Sequence, residues 1–352
     1  MWKNDWDRTK DHFDLWWQQK GFVLCTEPVK RAVQWEGIKK PAPYKNLEEK
    51  LTFPDYVARM NEYTLSCYDY PADTIPVAMT DWGTVCLAAL LGAEQKFDED
   101  TVWYKPCIHD IDEPIIFDAG SKWWNRMYDC MKRNNEVACG RYLVAEQAFS
   151  SGLDTLAAIY NIEDLMMNLI TDRGMVIDRL DEIHTAYEQV IEKISPLFED
   201  KWQGSTFPFF CIWGKGRTSQ IQCDSAAMIS PAMFEDYAVP YIEKQCSLFD
   251  NTMFHLDGTQ CLVHIDQLLK VKDLKAIEWT PQAGIEQGGD PRWFDLYKRI
   301  LNTGKSIQAV NVEPEEVMPM IKALGKNGLY IMTTPIDDVK KAEELYEAVE
   351  RF

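Results

Sequence analysis

The sequence has no run of 18 apolar residues, no Cys-x-x-Cys pair, no Gly-x-Gly-x-x-Gly motif and a shortage of basic charge. The first absence leaves no segment expected to span a bilayer as a helix. The second, with ten cysteines scattered singly through 352 residues, points away from a disulfide framework and toward reduced thiols buried as small hydrophobes. The third removes the main sequence reason to expect a dinucleotide-binding sheet. With 37 Lys and Arg against 56 Asp and Glu, the formal net charge is −19. Such a surface repels nucleic acid and anionic membrane, so neither is an expected partner. The amino terminus, Met1 to Arg8, is charged throughout and lacks the apolar core of a signal peptide, so a cytoplasmic location is expected.

What the chain has instead is a repeated alternation of two periodicities. Apolar, β-prone runs at Phe207 to Trp213, Thr218 to Cys223, Thr252 to Leu256, Leu274 to Trp279, Ser306 to Val310 and Leu329 to Thr333 read as strands. Helical spacing fills most of the intervals, at Pro231 to Phe249, Thr259 to Lys270, Pro291 to Asn302, Glu313 to Leu324 and Ile336 to Val349. Strand-then-helix units imply parallel pairing with helices outside. Two earlier strands, Thr74 to Met79 and Arg141 to Glu146, bring the number to eight. The expected fold is α/β, a (β/α)8 TIM barrel over residues 73–352 with an N-terminal helical extension over residues 1–72. Asp98 to Asp118 reads as a loop over the barrel mouth. Asp154 to Phe198 reads as long helix, with His184 a solvated helix residue.

In such a barrel the carboxyl ends of the strands carry the chemistry. Phe254-His255-Leu256-Asp257-Gly258 is the stretch around which the site is expected, because side chains two apart on a strand point the same way. The other strand ends add Asp81, Glu146, Gln222 with Asp224, Glu278 with Trp279, Asn311 and Thr333. Asp81 reads equally well as a helix N-cap. His255, Asp257 and Glu278 are the candidate catalytic residues, and they have the donor types of a zinc site. The plainer reading is a hydrogen-bonded polar network without metal. Trp82, Trp103, Trp213 and Trp279 are candidates for a pocket wall that would stack on a methyl ether or hold a methylammonium by cation–π attraction; about two of them are expected there and the rest in the core. His264 is expected to be a surface or packing residue.

Particular motifs go further. Asp224-Ser225-Ala226-Ala227-Met228-Ile229-Ser230-Pro231-Ala232-Met233-Phe234, Val239-Pro240-Tyr241, the His255 stretch, Leu274 to Trp279, and Asp81-Trp82-Gly83 with Leu90 to Glu94 resemble the uroporphyrinogen decarboxylase superfamily over roughly residues 70–350. Within it the chain is most similar to the corrinoid-linked methyltransferase branch. The resemblance implies a (β/α)8 barrel that moves a methyl group from a small methoxy or methylamine compound to a corrinoid on a separate protein, this chain having no cobalamin module. It also implies zinc, and a homodimer is a compatible assembly. Two departures qualify it. Residues 11–30 lack the arginine-rich segment with which the decarboxylases hold their substrate's carboxylates. The branch's zinc ligands are His-x-Cys and a later cysteine; here Asp257 replaces the first cysteine and Ile331 to Thr334 contains none. Glu278, 23 residues after His255, lies where related barrels place a glutamate ligand, so an oxygen-rich zinc site is expected. The alternatives are a lyase with a basic pocket of Arg141, Arg217 and Arg292, and a non-catalytic barrel that binds a tetrapyrrole or corrinoid.

Overall fold

Each strand-and-helix repeat adds one parallel strand to a central sheet. The computed structural model describes residues 1–99, 101–198, 204–207 and 209–352. Its parallel strands are β1 (Val23–Cys25), β2 (Val77–Ala78), β3 (Leu143–Val144), β4 (Thr218–Gln222), β5 (Asn251–Asp257), β6 (Ala276–Thr280), β7 (Ser306–Val312) and β8 (Leu329–Thr333). Six of them form one sheet in the order β1-β8-β7-β6-β5-β4, every pair parallel. β2 and β3 form a separate parallel pair.

The closed eight-stranded ladder expected from the sequence is therefore not what the described residues form. At one edge, side chains take the place of a ladder: Leu24 N donates to Asp73 Oδ2 at 3.0 Å, and Thr26 N donates to Thr74 Oγ1 at 3.0 Å. At the other edge Ser219 Oγ donates to Glu146 Oε1 at 3.0 Å. Short polar side chains compete for backbone partners, and the two-residue strands β2 and β3 have little backbone to offer on a second side.

The first 72 residues supply a strand as well as helices, because β1 pairs with β8. The helix Trp6–Trp17 plugs the amino ends of the strands. Its Phe13, Trp16 and Trp17 pack with Val23, Met253, Ala276 and Tyr330. Trp16 Nε1 donates to Gly328 O at 3.1 Å, just ahead of β8, and Ser306 Oγ, at the start of β7, donates to Trp16 O at 2.5 Å.

Two segments differ from expectation. The strand expected at Phe207 to Trp213 is the turn of an antiparallel hairpin, Gly204–Phe207 with Ile212–Lys215; Pro208 lies outside the described residues. Its tip carries Cys211 at φ +49° and reaches into the sheet's concavity, where Phe210 O accepts from Gln308 Nε2 at 2.9 Å and Tyr330 OH at 3.0 Å. The loop expected from Asp98 to Asp118 begins instead as part of a second antiparallel hairpin, Glu94–Phe97 with Val102–Lys105, and Asp100 likewise lies outside the described residues. His184 is buried beside Tyr187 and Tyr241 rather than solvated, since its helix Arg173–Ile194 packs on the apolar outer layer. Among the described residues, no helix is long and apolar enough to cross a membrane.

Candidate active site

Period-two alternation along β5 sends Phe254 and Leu256 into the helix layer and Met253 into the inner cluster with Phe13 and Trp213. His255 and Asp257 share the inner side with Met253. Parallel register then aligns Gln222, His255, Glu278, Gln308 and Tyr330 as one row across β4, β5, β6, β7 and β8. Within that row, His255 Nδ1 is hydrogen-bonded to Glu278 Oε2. The other carboxylate oxygen, Oε1, accepts from Thr280 Oγ1 at 2.5 Å. Phe210, from the hairpin tip, packs on the imidazole with ring centroids 4.9 Å apart.

Burial sets the electrostatics. Desolvation alone would lower the His255 pKa, but the hydrogen bond and charge of Glu278, with Asp224 and Asp257 beyond it, outweigh desolvation and leave it raised. Glu278 is fully buried, and burial pushes its carboxyl up against the pull of His255 and Thr280. The pair therefore holds a proton more tightly than either group would in water.

Beside the pair is a cavity of about 40 Å³ whose lining includes Asp224, His255, Asp257, Cys261, His264 and Phe234. Asp224 opens the short turn Asp224–Met228, and that turn is held by a residue that no sequence pattern singled out. Asp154, buried in the first turn of the helix Leu153–Ile159, accepts from Asp224 N at 2.8 Å, Ser225 N at 2.9 Å and Ser225 Oγ at 2.8 Å. An acid in a first helical turn reads as ordinary dipole complement, so nothing set it apart. Burial, then the Asp154 charge, push the Asp224 carboxyl up to about 6. Gln222 Nε2 donates to Asp224 Oδ2 at 2.9 Å and orients it.

The remaining expected residues are not brought to this cavity. Trp82 is fully buried, its Nε1 donating to Leu51 O at 3.0 Å, and Trp279 packs edge-on against Trp293 in the helix layer, one residue out of phase with Glu278. Trp213 belongs to the plug at the amino ends, where Trp17 Nε1 donates to its carbonyl at 2.9 Å. Trp103 stands exposed on its hairpin. None of these four tryptophans lines the cavity. Asp81 Oδ1 accepts from Gly83 N at 2.9 Å and shapes its own turn. Glu146 lies in the seam beside Ser219, where burial raises its pKa to about 8. Asn311, at φ +53°, donates through Nδ2 to Gln287 Oε1 at 3.1 Å, and Thr333 is buried behind the sheet's carboxyl edge.

The basic pocket of the lyase reading is not assembled either. Arg141 and Arg217 precede β3 and β4, at the opposite ends of the strands, and Arg292 pairs with Glu286 on the surface. As a zinc ligand set, His255, Asp257 and Glu278 do not fit as arranged. Both oxygens of Glu278 are engaged by His255 and Thr280, and among the described residues no three His, Cys, Asp or Glu side chains converge to hold a metal.

No family model matches the chain, and no curated protein matches it, so the resemblance to uroporphyrinogen decarboxylases rests on the motifs alone. Among solved structures, the fold is similar to that of a methyltransferase from Methanosarcina mazei, at 12% identity over 98% of each chain with a TM-score of 0.63. At that identity the likeness shows a shared fold.

Proposed function

We propose that the protein is a methyltransferase that takes a methyl group from a small methoxy or methylamine compound and delivers it to a corrinoid on a separate protein, with the two parallel sheets acting as a (β/α)8 barrel with two seams. The observation that carries this reading is the His255–Glu278 pair set beside a cavity at the carboxyl ends of parallel strands. The fold shared with a methyltransferase supports it.

Methyl transfer from a heteroatom needs a leaving group that departs with a proton, because an alkoxide or amide anion leaves poorly. A protonated amine brings that proton; an ether must be given one. Glu278 holds the imidazole through Nδ1 and favours the imidazolium, which leaves Nε2 as the acid facing a bound substrate. As the carbon–oxygen bond breaks, its electron pair stays on oxygen, oxygen takes the Nε2 proton, and the alcohol leaves neutral. A reduced corrinoid supplies the nucleophile that receives the methyl group. Phe210 keeps the ring in its plane, and its neighbours keep bulk water from the buried side of the pair.

The test is transfer to a reduced corrinoid protein from a panel of methyl ethers and methylamines, followed by corrinoid absorbance. His255→Asn is expected to slow transfer from ethers by about 10²–10⁴-fold, the usual worth of a positioned acid. Absence of transfer from every member of the panel would sink the reading.

A further inference from the structure

The tip of the hairpin Gly204–Phe207 with Ile212–Lys215 lies past the last paired residues, Phe207 and Ile212, so its carbonyls need partners from elsewhere in the interior. Two side chains supply them. Gln308 Nε2 donates to Phe210 O at 2.9 Å, and Tyr330 OH lies 3.0 Å from Phe210 O and 3.1 Å from Cys211 O. Cys211 stands between these carbonyls with φ +49°, a left-handed conformation that is costly for a residue with a Cβ and that sets how the two carbonyls are aimed. The tip is thus held in a strained shape by two donors.

Both donors sit where an apolar residue would be expected. Gln308 and Tyr330 are fully buried within parallel strands, in the row that also contains His255 and Glu278. Gln308 Oε1 is buried without a partner among the described residues, a cost that a methionine of similar length would not carry. The bond from Nε2 to the tip is what the amide does there. The Tyr330 ring packs edge-on against Phe13 and Trp16 of the plug helix, with centroids 5.7 and 5.4 Å away, so its hydroxyl is offered from a fixed base.

The tip carries Phe210, whose ring packs on the imidazole of His255 with centroids 4.9 Å apart and 36° between the planes. Glu278 fixes the Nδ1 edge of that imidazole. A hydrogen bond at one edge leaves the soft torsion about the Cβ–Cγ bond only partly restrained. An aromatic ring laid on the face restrains the remaining swing, and with it the wander of Nε2 at the opposite edge. Proton transfer from Nε2 needs that accuracy, because an acid acts only within hydrogen-bond reach of its target.

We infer that Gln308 and Tyr330 are positioning residues for His255: they hold the strained tip so that Phe210 braces the imidazole and Nε2 keeps one direction. The inference rests on His255 being the acid of the methyltransferase reading. A methyl ether draws its proton from Nε2, whereas a protonated amine brings its own, so a loosened tip slows transfer from the ether alone.

Two variants of the full chain test this. Tyr330→Phe removes one oxygen and keeps the ring in the plug, and Gln308→Met keeps the length and removes the donor. The His255 ring resonances are followed by NMR in the wild type, in Phe210→Leu, in each variant, and in each variant combined with Phe210→Leu. Phe210→Leu shifts the His255 signals by removing the neighbouring ring. Each donor variant is expected to shift them in the same direction and to add little once Phe210 is gone, since its effect passes through that ring. In transfer assays, kcat for ethers is expected to fall by about 10–10²-fold with little change in KM, and transfer from protonated amines to hold. Should Gln308→Met fail to fold, Tyr330→Phe decides the matter. Unmoved His255 signals in the folded variants, or shifts that add in full to those of Phe210→Leu, overturn the inference. Ether and amine transfer slowed to the same degree would mark a merely structural role and overturn it as well. The expected shifts in a protein that transfers methyl from no member of the panel would uphold the brace and overturn only the methyltransferase reading.

Discussion

His255 and Glu278 occupy the same row of the sheet on adjacent strands, and the imidazole Nδ1 is hydrogen-bonded to a carboxylate that solvent does not reach. Replacing Glu278 with Gln keeps the shape and an acceptor oxygen but removes the charge that outweighs desolvation at His255. The His255 pKa is then expected to fall, because burial is left with less opposition. Titration of the ring resonances by NMR in both proteins reads this directly; an unmoved midpoint would show that Glu278 does not set the protonation of the ring.

Asp154 is expected to matter for stability and for the cavity at once. Asn in its place keeps one acceptor where three donors converge, and the loss is expected to cost about 1–3 kcal/mol in urea unfolding. The same change removes the charge that helps hold the Asp224 carboxyl at about 6, so Asp224 should titrate lower. Carboxyl-carbon NMR would detect the shift, and an unchanged Asp224 would break the coupling between the two acids.

Glu146 makes stability depend on pH in the direction opposite to a paired surface carboxylate. Its folded pKa of about 8 lies above the ordinary carboxyl value of 4.5, so the folded state binds the extra proton between those values. The protonated state's advantage is fully present below the unfolded pKa and is lost as pH rises through 8. Glu146→Gln, which still accepts from Ser219, should lack this decline and gain on the order of 1–3 kcal/mol over wild type above pH 8. Urea midpoints for the two proteins at pH 5.5 and 8.5 make the comparison, and parallel curves would count against a buried protonated carboxyl.

The amino-terminal helix is a plug, and its removal from the core should be felt globally. Trp16 is fully buried among Phe13, Trp17 and Tyr330, so Trp16→Ala is expected to cost about 3–5 kcal/mol. Thermal unfolding checks it. A loss below about 1 kcal/mol would mean that the strands' amino ends close without this helix.

Much of this was readable from local pattern. Strand-then-helix alternation predicts a parallel sheet with an outer helix layer, and five of the eight strands expected in the barrel stand in one ladder, joined by Val23–Cys25, which was expected to belong to a helical extension. The His255-x-Asp257 pair and Glu278 were singled out because a polar residue ending an apolar strand has few other uses, and the structure sets His255 and Glu278 side by side. Trp279 was misplaced for a reason that the same pattern contains: it follows Glu278 by one residue, and alternation sends it to the opposite face. Trp82 and Trp213 could not be sorted by pattern, because a tryptophan beside a strand end is equally at home in a pocket wall and in the core.

The sequence by itself determined the class of fold, the strand ends at which polar groups gather, and the acidic balance of the chain. Those properties depend on periodicity and composition, which are local or additive. The tertiary structure decided the rest. It set the Glu278 carboxylate against His255, it broke the sheet at Asp73 and Glu146, and it brought Asp154 under Asp224 from 70 residues away. It also set His264 against Phe234 and Ala226, leaving one ring nitrogen buried without a hydrogen-bond partner among the described residues. Each of these depends on which chain segments meet in space and on what burial does to their charges, and neither is encoded in spacing along one strand.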